Sequence, residues 1–215
     1  MTDDRYYIAA RRVLLDALED LAEHRDAIIV VGAQAVYLRS RAANVGVADY
    51  TTDGDLAVDS DRLTDFPLLE EVMGARFSHS RASTGAEEPG VWTRTVQIDG
   101  EAIDIPVDLI VPEGIAPPGG TRGARLGPHG KRAARKAPGL EAAILDNDVL
   151  TVQRRLGHPL IDTPPSLHHR GTDCCRPPAS GDPLRHGRRP GKAAGHGSRR
   201  VFGTHRISLR RPCWL

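Results

Sequence analysis

Cysteine is absent from the first 153 residues, because all three cysteines of the chain, Cys174, Cys175 and Cys213, lie further on. No disulfide can form within this first part, which suits a protein of the reducing cytoplasm. Long apolar runs are also absent, so no membrane-spanning helix of about 18 apolar residues is expected. No apolar stretch follows the acidic segment Met1–Arg5, which argues against a secretory signal. We therefore predict a cytoplasmic protein that is not embedded in a membrane.

Acidic residues become scarce after Gln153, and this scarcity divides the chain. The net charge of +1 says nothing about partners, but residues 1–153 carry 25 Asp and Glu against 16 Lys and Arg, whereas residues 154–215 carry 3 against 13. The second part also holds 8 Pro, 8 Gly and 6 of the 9 His. It has no amphipathic period longer than one turn and buries too little apolar surface to offset its chain entropy. We predict a domain over 1–153 and a basic, disordered or irregular tail over 154–215.

Two hypotheses concern this tail. Its bias toward Arg, Pro, Gly and His resembles a GC-rich gene read in the wrong frame. Alternatively, its positive charge binds nucleic acid electrostatically, although aromatic residues are not interleaved with the basic ones. The pairs His168-His169 and Cys174-Cys175 match no zinc-site spacing, so they give no metal prediction.

Apolar periodicity within residues 1–153 predicts an α+β fold. Helices are predicted over 3–24, 33–41 and 63–77, with Asp61 as the N-cap of the third. Strands are predicted over 27–31, 55–59, 91–98 and 101–111, and Asp99-Gly100 is the turn of a hairpin between the last two. Loops are predicted over 78–90 and 112–139, and one more strand or short helix over 140–152.

Side-chain directions follow from the same periods. In the second helix, Ala35, Val36 and Leu38 are expected to face inward. In the strand 101–111, alternate residues from Ile103 to Val111 form an apolar face, while Asp104, Pro106 and Asp108 share the other face. Pro106 also predicts that part of this strand lies at an edge or a bulge.

Three carboxylates form the strongest chemical pattern. Asp53 and Asp55 are two residues apart, so on an extended strand they point to the same face. Asp108 supplies a third carboxylate on the polar face of a later strand. Divalent cations bind such clusters of oxygen ligands in metal-assisted phosphoryl transfer. The alternatives are that Asp53-Gly54-Asp55 is only a turn and that Asp104 and Asp108 are a solvated strand face.

A glycine after the first predicted strand forms the second pattern. In Val30-Val-Gly-Ala-Gln-Ala-Val36, Gly32 lies between a buried strand and a helix. Such a turn allows the amides of a helix N-terminus to approach a phosphate. The alternative is an ordinary turn between a strand and a helix.

The order of these features resembles the nucleotidyltransferase superfamily of DNA polymerase β. Within it, the chain is most similar to bacterial AbiEii-like, toxin-type nucleotidyltransferases. The resemblance rests on Val31-Gly32-Ala33-Gln-Ala-Val36, Thr51-Thr-Asp53-Gly-Asp55-Leu56, Pro106-Val-Asp108-Leu-Ile-Val-Pro112 and Lys136-Ala-Pro-Gly-Leu-Glu-Ala-Ala-Ile144. It covers roughly residues 8–152 and none of the tail, and it implies a mixed β-sheet core flanked by helices.

The resemblance implies transfer of a nucleotide from an NTP to a hydroxyl acceptor, with two Mg²⁺ ions bound by Asp53 and Asp55. Asp108 would help to hold the second ion and act on the attacking hydroxyl. Gly32 and Ala33 would lie against the phosphates, and Lys131 or Lys136 would neutralise phosphate charge. Toxin members of the family modify tRNA ends, so tRNA is a candidate acceptor and a cognate antitoxin a candidate partner.

Two departures from the family pattern support a rival hypothesis. Ala33 stands where the family usually has Gly or Ser, so a phosphate-binding hydroxyl is missing unless Thr51 or Thr52 replaces it. The helical C-terminal part of the family is replaced here by the unpatterned tail. The rival hypothesis is therefore a truncated, catalytically inactive remnant that acts at most as a binding protein. We expect His79 to be solvated and Trp92 to pack within the hairpin.

Overall fold

The fold is α+β, with one mixed sheet and four α-helices in the part of the chain that the structure describes. This computed structural model describes residues 3–42, 51–154 and 203–210. The helices are α1 (Asp3–Asp20), α2 (Gly32–Ala42), α3 (Leu69–Gly74) and α4 (Glu141–Leu145). The strands are β1 (Ile28–Val31), β2 (Gly54–Val58), β3 (Ser78–Arg81), β4 (Glu87–Ile98), β5 (Glu101–Pro112), β6 (Arg135–Ala137), β7 (Asn147–Arg154) and β8 (Gly203–Arg210).

The strands form a sheet in the order β3-β4-β5-β2-β1-β8-β7, with β6 paired to β5. β2 and β5 are parallel neighbours, and β1 is antiparallel to β2. β8 lies between β1 and β7, parallel to the first and antiparallel to the second. The centre of the sheet therefore brings together β1, β2 and β5, which come from distant parts of the sequence.

Alternation along the central strands divides the core between the two faces of the sheet. On one face, α1 buries its apolar stripe, with Leu14 at its centre, against residues such as Leu56 and Leu109. On the other face, Ile29, Val31 and Ala57 pack with Ala143 of α4. Asp55 and Asp108 alternate with residues of the first face, so both lie on the face that α4 covers in part.

The hairpin forms as the sequence predicts. Asp99 and Gly100 both have positive φ angles, and Ile98 pairs with Glu101 on either side of them. The apolar face of β5 is buried from Ile105 to Val111. Among the described strands, the residues of β5 before Val107 pair with β4 and with no other, so the prediction of an edge at Pro106 is also confirmed.

The third predicted helix is wrong over most of its length. Only Leu69–Gly74 is α-helical, and its N-cap is Leu68, not Asp61. Pro67 explains the shortening, because proline has no N–H for an interior helical hydrogen bond and disfavours helix in the residue before it. The inward direction predicted for Val36 is wrong as well, since 55 % of this residue is exposed, whereas Ala35 and Leu38 are buried.

The two predicted loops contain strands. Residues 78–90 include β3 and the start of β4, which pair with each other. Residues 112–139 include a 3-10 helix, Gly127–His129, and β6, and they bury Ala124, Leu126 and Ala133 in the main core. These two segments are held by a few buried apolar residues and by pairing with neighbouring strands. Their own sequences show almost no periodicity. The sequence predicts one strand or one short helix over 140–152, and the structure has both, α4 and the start of β7.

The expectation of an irregular tail is wrong for Gly203–Arg210, which is β8. Polar and apolar residues alternate from Arg206 to Leu209, a strand pattern too short to stand out in a basic, glycine- and proline-rich sequence. The other residues of 155–215 lie outside the described part of the chain, and the division near Gln153 stays a prediction. None of the helices in the described ranges has the length and apolar character needed to cross a bilayer.

Candidate functional site

The sheet brings Asp55 and Asp108 side by side. β2 and β5 run parallel, and Asp55 is the register partner of Asp108. Adjacent strands lie about 4.8 Å apart, and register partners point to the same face. On the other side of β2, Asp55 is the register partner of Val31, the last residue of β1. Three central strands therefore position the two carboxylates on a rigid frame.

Asp53 lies immediately before β2, two residues from Asp55. It is exposed, and it accepts a hydrogen bond from the Thr51 hydroxyl. Asp53 is close enough to Asp55 for its charge to affect the pKa of that residue. Of the three predicted carboxylates, Asp53 is thus the one most open to solvent.

Gly32 lies directly against the Asp55 carboxylate. Its φ angle is +66°, and a Cβ atom built on it would overlap Asp55 Oδ2. Both its conformation and this close approach therefore require glycine. α2 begins at Gly32, so the first turn of that helix, with Ala33 in it, starts beside the carboxylates. The predicted glycine turn and the predicted acidic cluster form one site.

Negative charge is concentrated at Asp55. Burial is the largest cause that raises the pKa of its carboxyl to about 6, and the charges of Asp53 and Asp108 raise it as well. Arg135 acts in the opposite direction. A partly buried carboxylate with two acidic neighbours is a typical feature of functional sites, because it binds a cation more readily than an isolated surface acid does.

Arg135 is the residue of this site that the sequence did not reveal. Its Nε and Nη2 atoms donate to Asp108 Oδ2 at 3.0 and 2.6 Å. Arg135 is the register partner of Ile110 in the parallel pair of β5 and β6, so its side chain lies on the same face as Asp108. The resemblance implies a phosphate contact for Lys131 or for Lys136, the neighbour of Arg135, and does not single out Arg135 itself. Alternation in a strand turns the two neighbours to opposite faces.

Lys136 points elsewhere in the structure. Its Nζ donates to the carbonyl oxygens of Gly119 and Gly120 at 3.3 and 2.8 Å, which ties two parts of the segment 112–139 together. Lys131 and Thr52 are exposed. The roles that the resemblance implies for Thr52, Lys131 and Lys136 toward phosphate stay predictions.

A divalent cation fits the donor set in type and charge. Carboxylate oxygens are the ligands that Mg²⁺ prefers, and the charges of Asp53 and Asp108 both act on Asp55. Within residues 3–42, 51–154 and 203–210, however, no three His, Cys, Asp or Glu side chains are grouped as metal ligands. Arg135 contacts Oδ2 of the Asp108 carboxylate, so its positive charge opposes the binding of a cation there.

Two further residues were singled out in the sequence. Trp92 is buried, and its indole N–H donates to the Ala133 carbonyl at 2.9 Å, which confirms packing within the hairpin region. His79 is not simply solvated, because its ring lies 3.9 Å from the Trp92 ring and burial lowers its pKa.

Comparison of the chain with protein-family models, with curated proteins and with solved structures gave no match.

Proposed function

We propose that the protein is a metal-dependent nucleotidyltransferase that transfers a nucleotide from an NTP to a hydroxyl acceptor. The observation that carries this proposal is the pairing of Asp55 with Asp108 on parallel neighbouring strands, with Gly32 pressed against Asp55. The resemblance of the sequence to the DNA polymerase β superfamily rests on the same residues. The sequence resemblance and the arrangement of these residues thus both support nucleotide transfer as the proposed reaction.

In this proposal, Asp53, Asp55 and Asp108 hold Mg²⁺. When bound, the metal would neutralise charge on the triphosphate and on the leaving pyrophosphate. Gly32 allows the start of α2 to approach Asp55, and the first amides of this helix, which have no intrahelical partner, offer hydrogen bonds to phosphate oxygens. Catalysis would therefore depend on positioning and on fixed charges that are already arranged before the substrate binds.

The proposed reaction forms a bond between the acceptor oxygen and the α-phosphorus of the NTP. The bond from that phosphorus to the oxygen bridging to the β-phosphate breaks, and pyrophosphate leaves with its electron pair. The proton of the acceptor hydroxyl passes to Asp108 and then to solvent. tRNA as acceptor and an antitoxin as partner are further parts of the proposal, and both rest on the resemblance alone.

Purified protein incubated with each labelled NTP, Mg²⁺ and total tRNA tests this proposal. We expect label transfer that requires Mg²⁺, and we expect Asp55→Asn to reduce it at least about a hundredfold, the scale for loss of a group that stabilises developing charge. Asp104→Asn is the matched control. Asp104 lies on the same face of β5 as Asp108 but is exposed and accepts a hydrogen bond from Thr95 at 2.6 Å. Transfer that is unchanged in Asp55→Asn would contradict the proposal.

A second candidate function is nucleotide binding without turnover. The ion pair between Arg135 and Asp108 favours it, because the positive charge of the arginine opposes the binding of a metal ion by that carboxylate. Binding of NTP with no transfer to any acceptor, in the presence of Mg²⁺, would support this candidate over the enzyme.

A further inference from the structure

Arg135 is a cation fixed within the acidic cluster. Its backbone is held on several sides: β6 pairs with β5, Arg135 bridges Gly123, and Lys136 N donates to the Arg122 carbonyl at 2.7 Å. Gly90 lies so close that a Cβ atom on it would overlap Arg135 N. The chain thus fixes the start of the Arg135 side chain beside the carboxylates, as a functional group requires.

The guanidinium uses only part of its hydrogen-bonding capacity on Asp108. Both contacts go to a single oxygen, Oδ2, and not to the two oxygens of a fork-shaped pair. A guanidinium has five N–H donors in a planar fork that matches phosphate as well as carboxylate. The Arg135 side chain is also 34 % exposed, against 18 % for Asp108, so it forms the more accessible side of the pair.

We propose that Arg135 is a phosphate-binding residue that exchanges Asp108 for the triphosphate of the incoming nucleotide. This inference rests on the proposed function. A divalent cation bound at Asp108 neutralises the carboxylate charge that holds the guanidinium, so metal binding weakens the ion pair and releases Arg135. The triphosphate then supplies the negative charge that the released guanidinium needs.

The exchange has a consequence that a purely structural ion pair lacks. Removal of the guanidinium frees Asp108 and leaves three carboxylates without their internal cation, which strengthens binding of a divalent cation. The same change removes a charged donor from the phosphates, which weakens binding of triphosphate. One substitution is therefore expected to shift the two affinities in opposite directions.

The experiment uses the full chain with two probes, Mn²⁺ alone and inorganic triphosphate in the presence of Mg²⁺. For Arg135→Gln we expect Mn²⁺ to bind several-fold more tightly and triphosphate about tenfold more weakly, the scale of one charge-assisted hydrogen bond. Arg135→Lys retains the charge and is expected to recover part of the triphosphate affinity. Arg132→Gln is the matched control, because Arg132 is on the same segment but pairs with Glu87 at 2.6 Å.

Equal triphosphate affinity in Arg135→Gln and Arg132→Gln would overturn the inference, and so would no triphosphate binding by the wild-type protein. Loss of both affinities in Arg135→Gln and also in Arg135→Lys would assign the residue a structural role and overturn it too. Triphosphate binding that depends on Arg135, with no transfer to any acceptor, would leave the inference standing and refute the proposed reaction. If no Mn²⁺ binds to either protein, the metal site of the proposed function is wrong, and the exchange that metal binding is said to drive is overturned as well.

Discussion

Asp55 carries a charge that its own surroundings oppose. Burial, Asp53 and Asp108 together raise the pKa of its carboxyl from 3.8 to about 6, so at neutral pH the folded protein holds an ionised group that is better solvated in the unfolded chain. Functional sites commonly retain such unfavourable charges, because the groups that bind substrate or metal are not those that maximise stability.

Asp55→Asn is therefore expected to stabilise the protein while it reduces the proposed nucleotide transfer. About two pKa units correspond to roughly 3 kcal/mol, which screening at a partly exposed site reduces to about 1 kcal/mol. The free energy of unfolding, measured by urea denaturation at pH 7.5 without divalent cations, should rise by this amount. Asp104→Asn removes an exposed acid from β5 and should give no such gain. A less stable Asp55→Asn protein would show that Asp55 is held by favourable contacts.

The carboxylates and the glycine could be predicted from sequence, but Arg135 could not. Local sequence patterns identify three of these residues: a spacing of two on a strand for Asp53 and Asp55, and a turn between strand and helix for Gly32. Alternation along a strand predicts the face of the sheet on which Asp108 lies. The role of Arg135 depends on the pairing of β6 with β5, a contact between residues 25 positions apart, Ile110 and Arg135. Among the many basic residues of 122–136, no local signal distinguishes Arg135 from Lys136.

At the scale of elements, the sequence predicts a helix or strand correctly where several local patterns agree, and it fails where only one weak pattern is present. The hairpin of β4 and β5 has a turn pair, Asp99-Gly100, between two alternating segments, and each signal supports the other. α3 was predicted too long because apolar spacing alone does not register the effect of Pro67. β3 and β6 have four and three residues, so their strand character comes from the neighbours to which they pair and not from their own periodicity.

β8 is the element whose position can be tested most directly. Ser208 is the register partner of Ile29 on β1 and of Val149 on β7, so it lies in a strand paired on both sides. Ser208→Pro removes an N–H from this ladder and crowds a neighbouring strand. An unpaired buried backbone group costs roughly 1–3 kcal/mol, and we expect the free energy of unfolding to fall by about 2 kcal/mol or more.

Ser208→Thr provides the control for this substitution, since threonine favours strands and keeps its N–H. Its unfolding curve should match that of the wild type. If Ser208→Pro unfolds at the same denaturant concentration as the wild type, β8 does not pair with β1 and β7 in solution. The prediction of irregular structure would then hold for Gly203–Arg210.

At the scale of the whole molecule, the main apolar core and the candidate site lie on opposite faces of the sheet. The face that packs on α1 carries the large apolar core, while the carboxylates and Arg135 lie on the other face, where α4 packs on Ile29, Val31 and Ala57. Substitutions in the acidic cluster can therefore alter charge without opening a cavity in the main core. This separation makes the proposed variants usable as tests of function.

The dependence of stability on pH reports a different region, the contact between α3 and the 3-10 helix Gly127–His129. His129 is buried, its Nδ1 accepts a hydrogen bond from Leu69 N at 3.2 Å, and its ring lies 5.5 Å from that of His24. Burial, followed by the charge of His24, lowers the pKa of His129 below 6.5, while hydrogen bonding by Thr64 and the charge of Asp65 act weakly in the opposite direction.

A histidine whose pKa is lowered by folding makes stability fall as the pH falls. Below pH 6.5 the unfolded chain takes up a proton that the folded His129 resists, so the free energy of unfolding decreases from pH 7.5 toward the pKa of the folded state and then levels off.

His129→Asn keeps an acceptor near the position of Nδ1 but cannot titrate. Chemical denaturation at pH 7.5 and 5.5 should therefore show a larger loss of stability for the wild type than for His129→Asn. The Asp55 contribution has the opposite sign over part of this range, but it is common to both proteins and cancels in the comparison. Equal losses in the two proteins would mean that His129 is protonated as readily in the folded state as in the unfolded chain.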